Sequence, residues 1–415
     1  MPATYRSYAG SGTITFRDEY TIPAAPFSIE CKTNGRIEIT ITIQNLSTAL
    51  DMRKRMLQPA RLQGQVATPP ARIAVLSITL LDVKGSSSGP SQLRFMASKE
   101  LRIISQSVPK AGVVTLKFGL TNLLLLDSMH PRILNDIFRF DPLEDYWTLR
   151  QRLSAGEPQV TTEVTISTPP SRITSLEHAM RDVALLISFA TGTYVSIAYT
   201  DVLFNSMVIS TVIHHSKFLE YSDSVPVVNV RSGSGELQLF LTGSFQHYQA
   251  LKKKLRLDLA LEYCVLAKSV FYLDIKFVTT FIALESLLTR LQNQFPKQRR
   301  RYGRLMLAKV EHALFFFRKR KYQSLVLIRL QSALQHYGLN DLRGVSIDSP
   351  PYGTPNYAKI RNWLVHGGTF PKNIDPFRVT YSLLDTYQRL LLAILNYRGI
   401  YIDCSVQPFV DRVVS

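Results

Sequence analysis

The feature that most constrains this 415-residue chain is a change of hydrophobic period near Phe245. Before it, apolar residues recur mainly at every second position, the repeat that gives a strand one buried face; after it they recur at 3.6. One pattern cannot serve both structures, so two kinds of layer are expected in one chain. Residues 37–43 (IEITITI) alternate Ile with Glu and Thr, and 74–83 and 113–118 are comparable runs set off by Gly, Pro and Ser. Two stretches interrupt this β-rich region: residues 52–72, basic and rich in Gln and Pro, and residues 85–90 (GSSSGP), which read as a turn or loop.

Residues 126–244 mix the two periods. Leu176, Met180, Val183, Ala184 and Ile187 stand at helical spacing, and residues 193–216 then turn β-branched. The SGSGE at 232–236 reads as a hairpin turn ahead of a strand, LQLFLTG, since glycines that cradle a phosphate open a helix. From Phe245 on, Leu251, Leu255, Leu259, Tyr263 and Val265 begin a helix. Further helices are expected at 277–291, 302–317 and 322–337, then a short one at 356–366 and a long one at 375–397. The chain is therefore read as multidomain: a β-rich domain at 1–125, its α+β continuation at 126–244, and an all-α helical bundle at 245–415.

Charge follows the same division. Of the formal net charge of +18, residues 245–415 carry +15, with 26 Lys and Arg against 11 Asp and Glu. Such an excess implies a polyanionic partner, nucleic acid or an anionic membrane surface. The runs Lys252, Lys253, Lys254; Arg299, Arg300, Arg301; and Arg318, Lys319, Arg320 suit an RNA backbone, and solvated helix faces and loops are the competing reading. The near-neutral first 244 residues point to a protein or internal surface as their partner. The most apolar helical stretch, 277–288, is too short to span a bilayer and contains Glu285, so no membrane role is expected. The start, MPATYRSYAG, shows neither the basic beginning nor the apolar core of a secretory signal. Cys31, Cys264 and Cys404 form neither a disulfide framework nor a C-x-x-C pair, which fits a reducing, cytoplasmic setting.

Chemistry concentrates in YAKIRNWLVHGG, residues 357–368. On a helix, Arg361 and His366 stand about 140° apart and flank one broad face, whereas Asn362 and His366, four apart, stack. Stacking lets the Asn362 amide orient the imidazole or contact a phosphate, and Trp363 and Leu364 are left to face the core. Gly367 and Gly368 stop the helix, so His366 falls in the last turn, where the macrodipole favours positive charge. Histidine suits general acid-base work near neutral pH. An Arg fork matches phosphate oxygens and stabilises charge that builds up on them. No metal-ligand set or cofactor motif accompanies these residues. His214 and His215, adjacent on an expected strand, point to opposite faces and cannot chelate together. These side chains suit RNA cleavage by attack of the ribose 2′-OH, which DNA lacks.

The R-N-x-x-x-H pattern followed by Gly resembles the R-x4-6-H signature of HEPN ribonucleases, with Asn362 at a position that is usually polar in that family. FIALESLLTRL, residues 281–291, resembles the A-L-E-x-L helix of the ApeA-like branch of abortive-infection proteins, in which a β-rich domain precedes the helical one. The resemblance implies an antiphage, metal-independent endoribonuclease with Arg361, Asn362 and His366 as its catalytic set. It implies a homodimer, because such sites pair two copies of the motif, and a phage component sensed by the N-terminal region. Glu285 is implied more loosely, as an acidic partner of Arg361, and a solvated helix residue is its other reading. The alternative for the whole chain is a non-catalytic sensor or scaffold that binds RNA or protein through the same bundle.

Overall fold

The computed structural model describes residues 4–32, 36–44, 51–52, 54–67, 70–84, 90–97, 100–156, 160–214, 224–230, 233–294, 333, 336–337, 357–372, 374–405 and 410–413. The chain divides into two compact units, Met1–Ala184 with Tyr194–Tyr221, and Leu185–Thr193 with Ser222–Ser415.

In the first unit, β1 (Thr4–Phe16), β2 (Thr21–Lys32), β3 (Ile37–Ile43), β4 (Pro59–Val66), β5 (Ala71–Lys84) and β6 (Ser91–Ala97) close on themselves. The order runs β4-β1-β2-β3-β6, and β5 pairs with both β4 and β6, so this antiparallel ring leaves none of the six without two neighbours. Alternation supplies the filling: Ile37, Ile39, Ile41 and Ile43 are buried while Glu38, Thr40 and Thr42 between them are half-buried. Residues 52–72, expected to interrupt the sheet, instead carry β4, in which Ala60, Leu62 and Val66 point inward. Gly64 of β4 has no room for a side chain, since a Cβ would lie 2.9 Å from the Phe27 ring.

The sheet continues from β5 through β7 (Leu101–Ile104) to β14 (Met207–Ile213), β13 (Ser196–Phe204), β8 (Val114–Thr121), β12 (Val160–Thr168) and β11 (Arg139–Pro142). Asn205 and Ser206, both at positive φ, make the two-residue turn that joins β13 to β14. A small hairpin, β9 (Arg132–Ile133) with β10 (Asp136–Ile137), and helix α1 (Tyr146–Ser154) complete this region. Asp145 caps α1 by accepting from the backbone N–H groups of Trp147 and Thr148. Helix α2 (Ile173–Thr191) matches the expected helix. Its last residues belong to the second unit.

The second unit is mainly helical: α3 (Gly235–Leu255), α4 (Leu257–Ser269), α5 (Leu273–Gln294), α6 (Tyr357–Gly367) and α7 (Pro376–Ile394). LQLFLTG is helix, not strand. Leu237, Phe240, Leu241, Ser244, Phe245 and Tyr248 form one buried stripe at helical spacing, and the SGSGE glycines stand at the start of α3, where Ser234 is the N-cap residue. Arg256, at φ 53, separates α3 from α4, so the first helix expected after Phe245 is two. α5 packs against α4, α6 and α7, and buried Tyr387 ties α7 to α4 by donating to the Ala260 carbonyl at 2.8 Å. A β-hairpin that periodicity did not suggest, β15 (Ile400–Asp403) with β16 (Val410–Val413), follows the helices. The helices expected at 302–317 and 322–337 lie outside the described residues, apart from Ala333, His336 and Tyr337. Among the described residues no helix is long and apolar enough to cross a membrane, and all three cysteines are buried and unpaired.

Where α7 meets the hairpin, two carboxyls are held in opposite states. Burial and then the charge of Asp403 push Asp385 up to about 7. Burial also pushes Asp403 up, but hydrogen bonds from Ser405 and the charge of Arg412 outweigh it and hold Asp403 below the usual carboxylate value. Folded Asp385 thus keeps its proton up to about 7, whereas an unfolded Asp loses it near about 3.9. Between those values the folded state binds more protons at Asp385, so the stability that Asp385 contributes falls as pH rises and levels off above about 7. Asp403 titrates below this window. The melting temperature of wild type minus that of Asp385→Asn should fall as pH rises across this range, a difference that cancels the opposite slope of buried His214; parallel curves would rule out the Asp385 contribution.

Candidate functional site

Helix α6 is too short to be stable alone and is held by a narrow apolar stripe. Ile360 and Leu364, four apart, are 2 % and 6 % exposed, and α6 packs on α5. Burying two such side chains contributes on the order of 3–6 kcal/mol. α5 presents to the core a stripe that includes Phe277, Phe281, Leu284, Leu287, Leu288 and Leu291, which is the FIALESLL segment and its flanks.

With that stripe inward, the opposite face of α6 is open. Asn362, Val365 and His366 are exposed, and Arg361 is half-buried at the edge. Trp363, expected to face the core, is 49 % exposed; one helical residue before Leu364, it is turned about 100° away from the apolar stripe. The helix ends as the glycines require. Gly368 takes φ 72, and its N–H donates to the Leu364 carbonyl at 3.0 Å, leaving His366 in the last turn.

The polar contacts within the motif differ from the expected ones. Arg361 Nη1 donates to Asn362 Oδ1 at 2.9 Å, and no hydrogen bond joins Asn362 to His366. Arg361 Nε is buried with no hydrogen-bond partner among the described residues, so part of the guanidinium's donor capacity is unused there. No ion pair joins Arg361 to Glu285 among the described residues. Glu285 is half-buried on α5, and its backbone carbonyl accepts from Thr289. One chain thus supplies Arg361, Asn362 and His366 as neighbours on an open helical face, without a side-chain network that links all three.

Lys252, Lys253 and Lys254 occupy the last turn of α3, where they complement the helix dipole, and Lys252 Nζ lies 5.6 Å from the Tyr248 ring centroid. Arg299, Arg300, Arg301, Arg318, Lys319 and Arg320 lie outside the described residues. His214 Nε2 is within 2.9 Å of Thr200 Oγ1, and burial lowers this histidine to about 4, which makes it a neutral structural residue; His215 lies outside the described residues. Two buried lysines, Lys268 on α4 and Lys276 on α5, went unremarked in the sequence. Their signal is faint, a single cation in each of two apolar helical stretches.

The chain was compared with protein-family models, with curated proteins and with solved structures, and it matches none of them.

Proposed function

We propose that this chain is a metal-independent endoribonuclease of the HEPN type, in an antiphage or abortive-infection role in the cytoplasm, active as a homodimer and restrained by its β-rich region until a phage component is sensed. The observation that carries the reading is the open face shared by Arg361, Asn362 and His366 on a helix whose opposite stripe is buried toward the FIALESLL helix.

In this reading the ribose 2′-oxygen attacks the adjacent phosphorus as the bond from phosphorus to the 5′-oxygen breaks. The products are a 2′,3′-cyclic phosphate and a 5′-hydroxyl. One proton leaves the 2′-OH and one must reach the 5′-oxygen, which calls for a base and an acid. Each chain offers one His366, so two copies of the motif across a dimer supply both. Arg361 holds the scissile phosphate and stabilises the charge that builds on it, and Asn362, bonded to Arg361, fixes the direction of that fork. The basic excess of residues 245–415 draws RNA to the bundle.

Incubation of a mixed RNA pool with wild type and His366→Ala in EDTA tests this. Wild type is expected to degrade the pool and the variant to leave it intact. Equal, slow degradation by both would end the enzyme reading in favour of a bundle that binds RNA or protein without cutting. That second reading is favoured by the bond between Arg361 and Asn362, which occupies part of the motif with itself. Activity that EDTA abolishes would contradict metal independence.

A further inference from the structure

The second unit contains a cleft of about 910 Å³ between the end of α4, the start of α5, the turn after α6 and the start of α7. This is large enough for a mononucleotide. We propose that it binds a nucleotide, with the phosphate on Lys268 and Lys276 and the base against the aromatic side chains around its mouth.

The lysines carry the first half of the argument. Lys268 is 7 % exposed, lines the cleft, and makes no hydrogen bond or ion pair among the described residues. Buried Asp385 favours the charge of Lys268 but keeps its own proton up to about 7, so below that the ammonium is buried without a charged counter-ion, which is costly, and an anion in the cleft would supply one. Lys276, also 7 % exposed, lines the same space; its amine donates to the Tyr381 hydroxyl at 3.3 Å and lies 5.0 Å from the centroid of that ring. Burial pushes both lysines below their ordinary value. Gly192 shows that the backbone makes room for this lysine: a Cβ there would come within 2.5 Å of Lys268 Cε, and φ is +74°. The Thr369 hydroxyl adds a donor on the same lining, where Asp274 is the carboxylate; the Ser269 hydroxyl is committed to the Leu266 carbonyl at 2.9 Å. Two cations side by side suit a doubly charged phosphate better than a single carboxylate.

The aromatic side chains carry the second half. Phe271 and Tyr272, in the turn between α4 and α5, are 91 % and 66 % exposed, an unusual surface to leave in water. Phe370 and Phe377 lie on the lining with them. Flat rings beside buried cations are what a base joined to a phosphate requires, since every base has a face that stacks on such rings. The turn that supplies Gly368, Thr369 and Phe370 begins two residues after His366, so cleft and motif share one connection. The nucleotide is either a free monophosphate or the phosphorylated end of an RNA strand. The inference does not depend on RNA cleavage.

Calorimetric titration of the full-length protein tests it, with each of the four ribonucleoside 5′-monophosphates, inorganic phosphate, and a tetraribonucleotide with and without a 5′-phosphate. The strands are titrated into His366→Ala so that they stay whole. At least one monophosphate is expected to saturate a site that inorganic phosphate fills roughly tenfold or more weakly. Lys268→Met should weaken that nucleotide by roughly tenfold or more, and Tyr272→Ala should weaken it while leaving inorganic phosphate unchanged. Tighter binding of the free monophosphate marks a small-molecule site; tighter binding of the 5′-phosphorylated strand marks a strand-end site. If Lys268→Met does not fold, Tyr272→Ala, altered at an exposed ring, decides alone. Absence of saturable binding by all four monophosphates up to about 1 mM, or wild-type binding in the variants that fold, overturns the proposal.

Discussion

His366→Ala is expected to lower the rate of RNA cleavage by roughly 10²–10⁴-fold, the usual contribution of a positioned general acid or base. Arg361→Ala should cost roughly 10²–10³-fold through lost stabilisation of the phosphate charge. Arg361→Lys should fall between wild type and Arg361→Ala, because it keeps the charge and loses the planar fork. None of these variants should lower the melting temperature, since helix α6 is held by Ile360 and Leu364 and its motif face is open. Single-turnover cleavage and thermal melting on the same preparations separate the two effects. A variant that loses activity only in proportion to its folded fraction would show that the motif is structural.

The second large effect is on stability. Arg6 reaches from β1 to β13, where Nη1 and Nη2 donate to Asp201 Oδ1 and Oδ2 at 2.9 and 2.7 Å. Thr211 donates to the same carboxylate at 2.7 Å, and the guanidinium carbon lies 3.9 Å from the Tyr199 ring centroid. The ring occupies the space left by Gly119, where a Cβ would come within 2.2 Å of it. Asp201 is only 8 % exposed, so Arg6→Ala strands a buried carboxylate and should cost about 3–5 kcal/mol. Arg6→Met with Asp201→Leu should recover most of that loss, because no charge is left unpaired. The two tryptophans fall in different units, so Trp147 fluorescence in a Trp363→Phe background follows the β-rich unit alone. A loss below about 1 kcal/mol in urea unfolding would class the pair with exposed ion pairs, against the burial described.

Side-chain periodicity made some elements legible and misled at others, for physical reasons. IEITITI is read correctly because every inward position is a large Ile and every outward one is polar. β4 was hidden because its inward residues include Ala60 and Gly64, small where the barrel is tight, so alternation left little apolar signal. LQLFL imitated a strand because Leu239, 62 % exposed, sits between the truly buried Leu237 and Leu241 of a helix. The closure of β5 onto both β4 and β6 is a non-local pairing that no single window contains. The motif helix was legible because its residues lie within six positions of one another. The cleft was not, since Lys268, Lys276 and Tyr381 approach one another only through the packing of α4, α5 and α7.

The chemistry on the face of α6 is reported most directly by the ends of the cut RNA. A synthetic RNA with a mapped cleavage site is incubated with wild type in EDTA, beside the same strand carrying one 2′-deoxynucleotide on the 5′ side of that site. Attack by the 2′-OH yields 2′,3′-cyclic phosphate and 5′-hydroxyl ends from the first strand, no cut at that position in the second, and neither product with His366→Ala. A cut at the deoxy position, or 5′-phosphate ends, would contradict it.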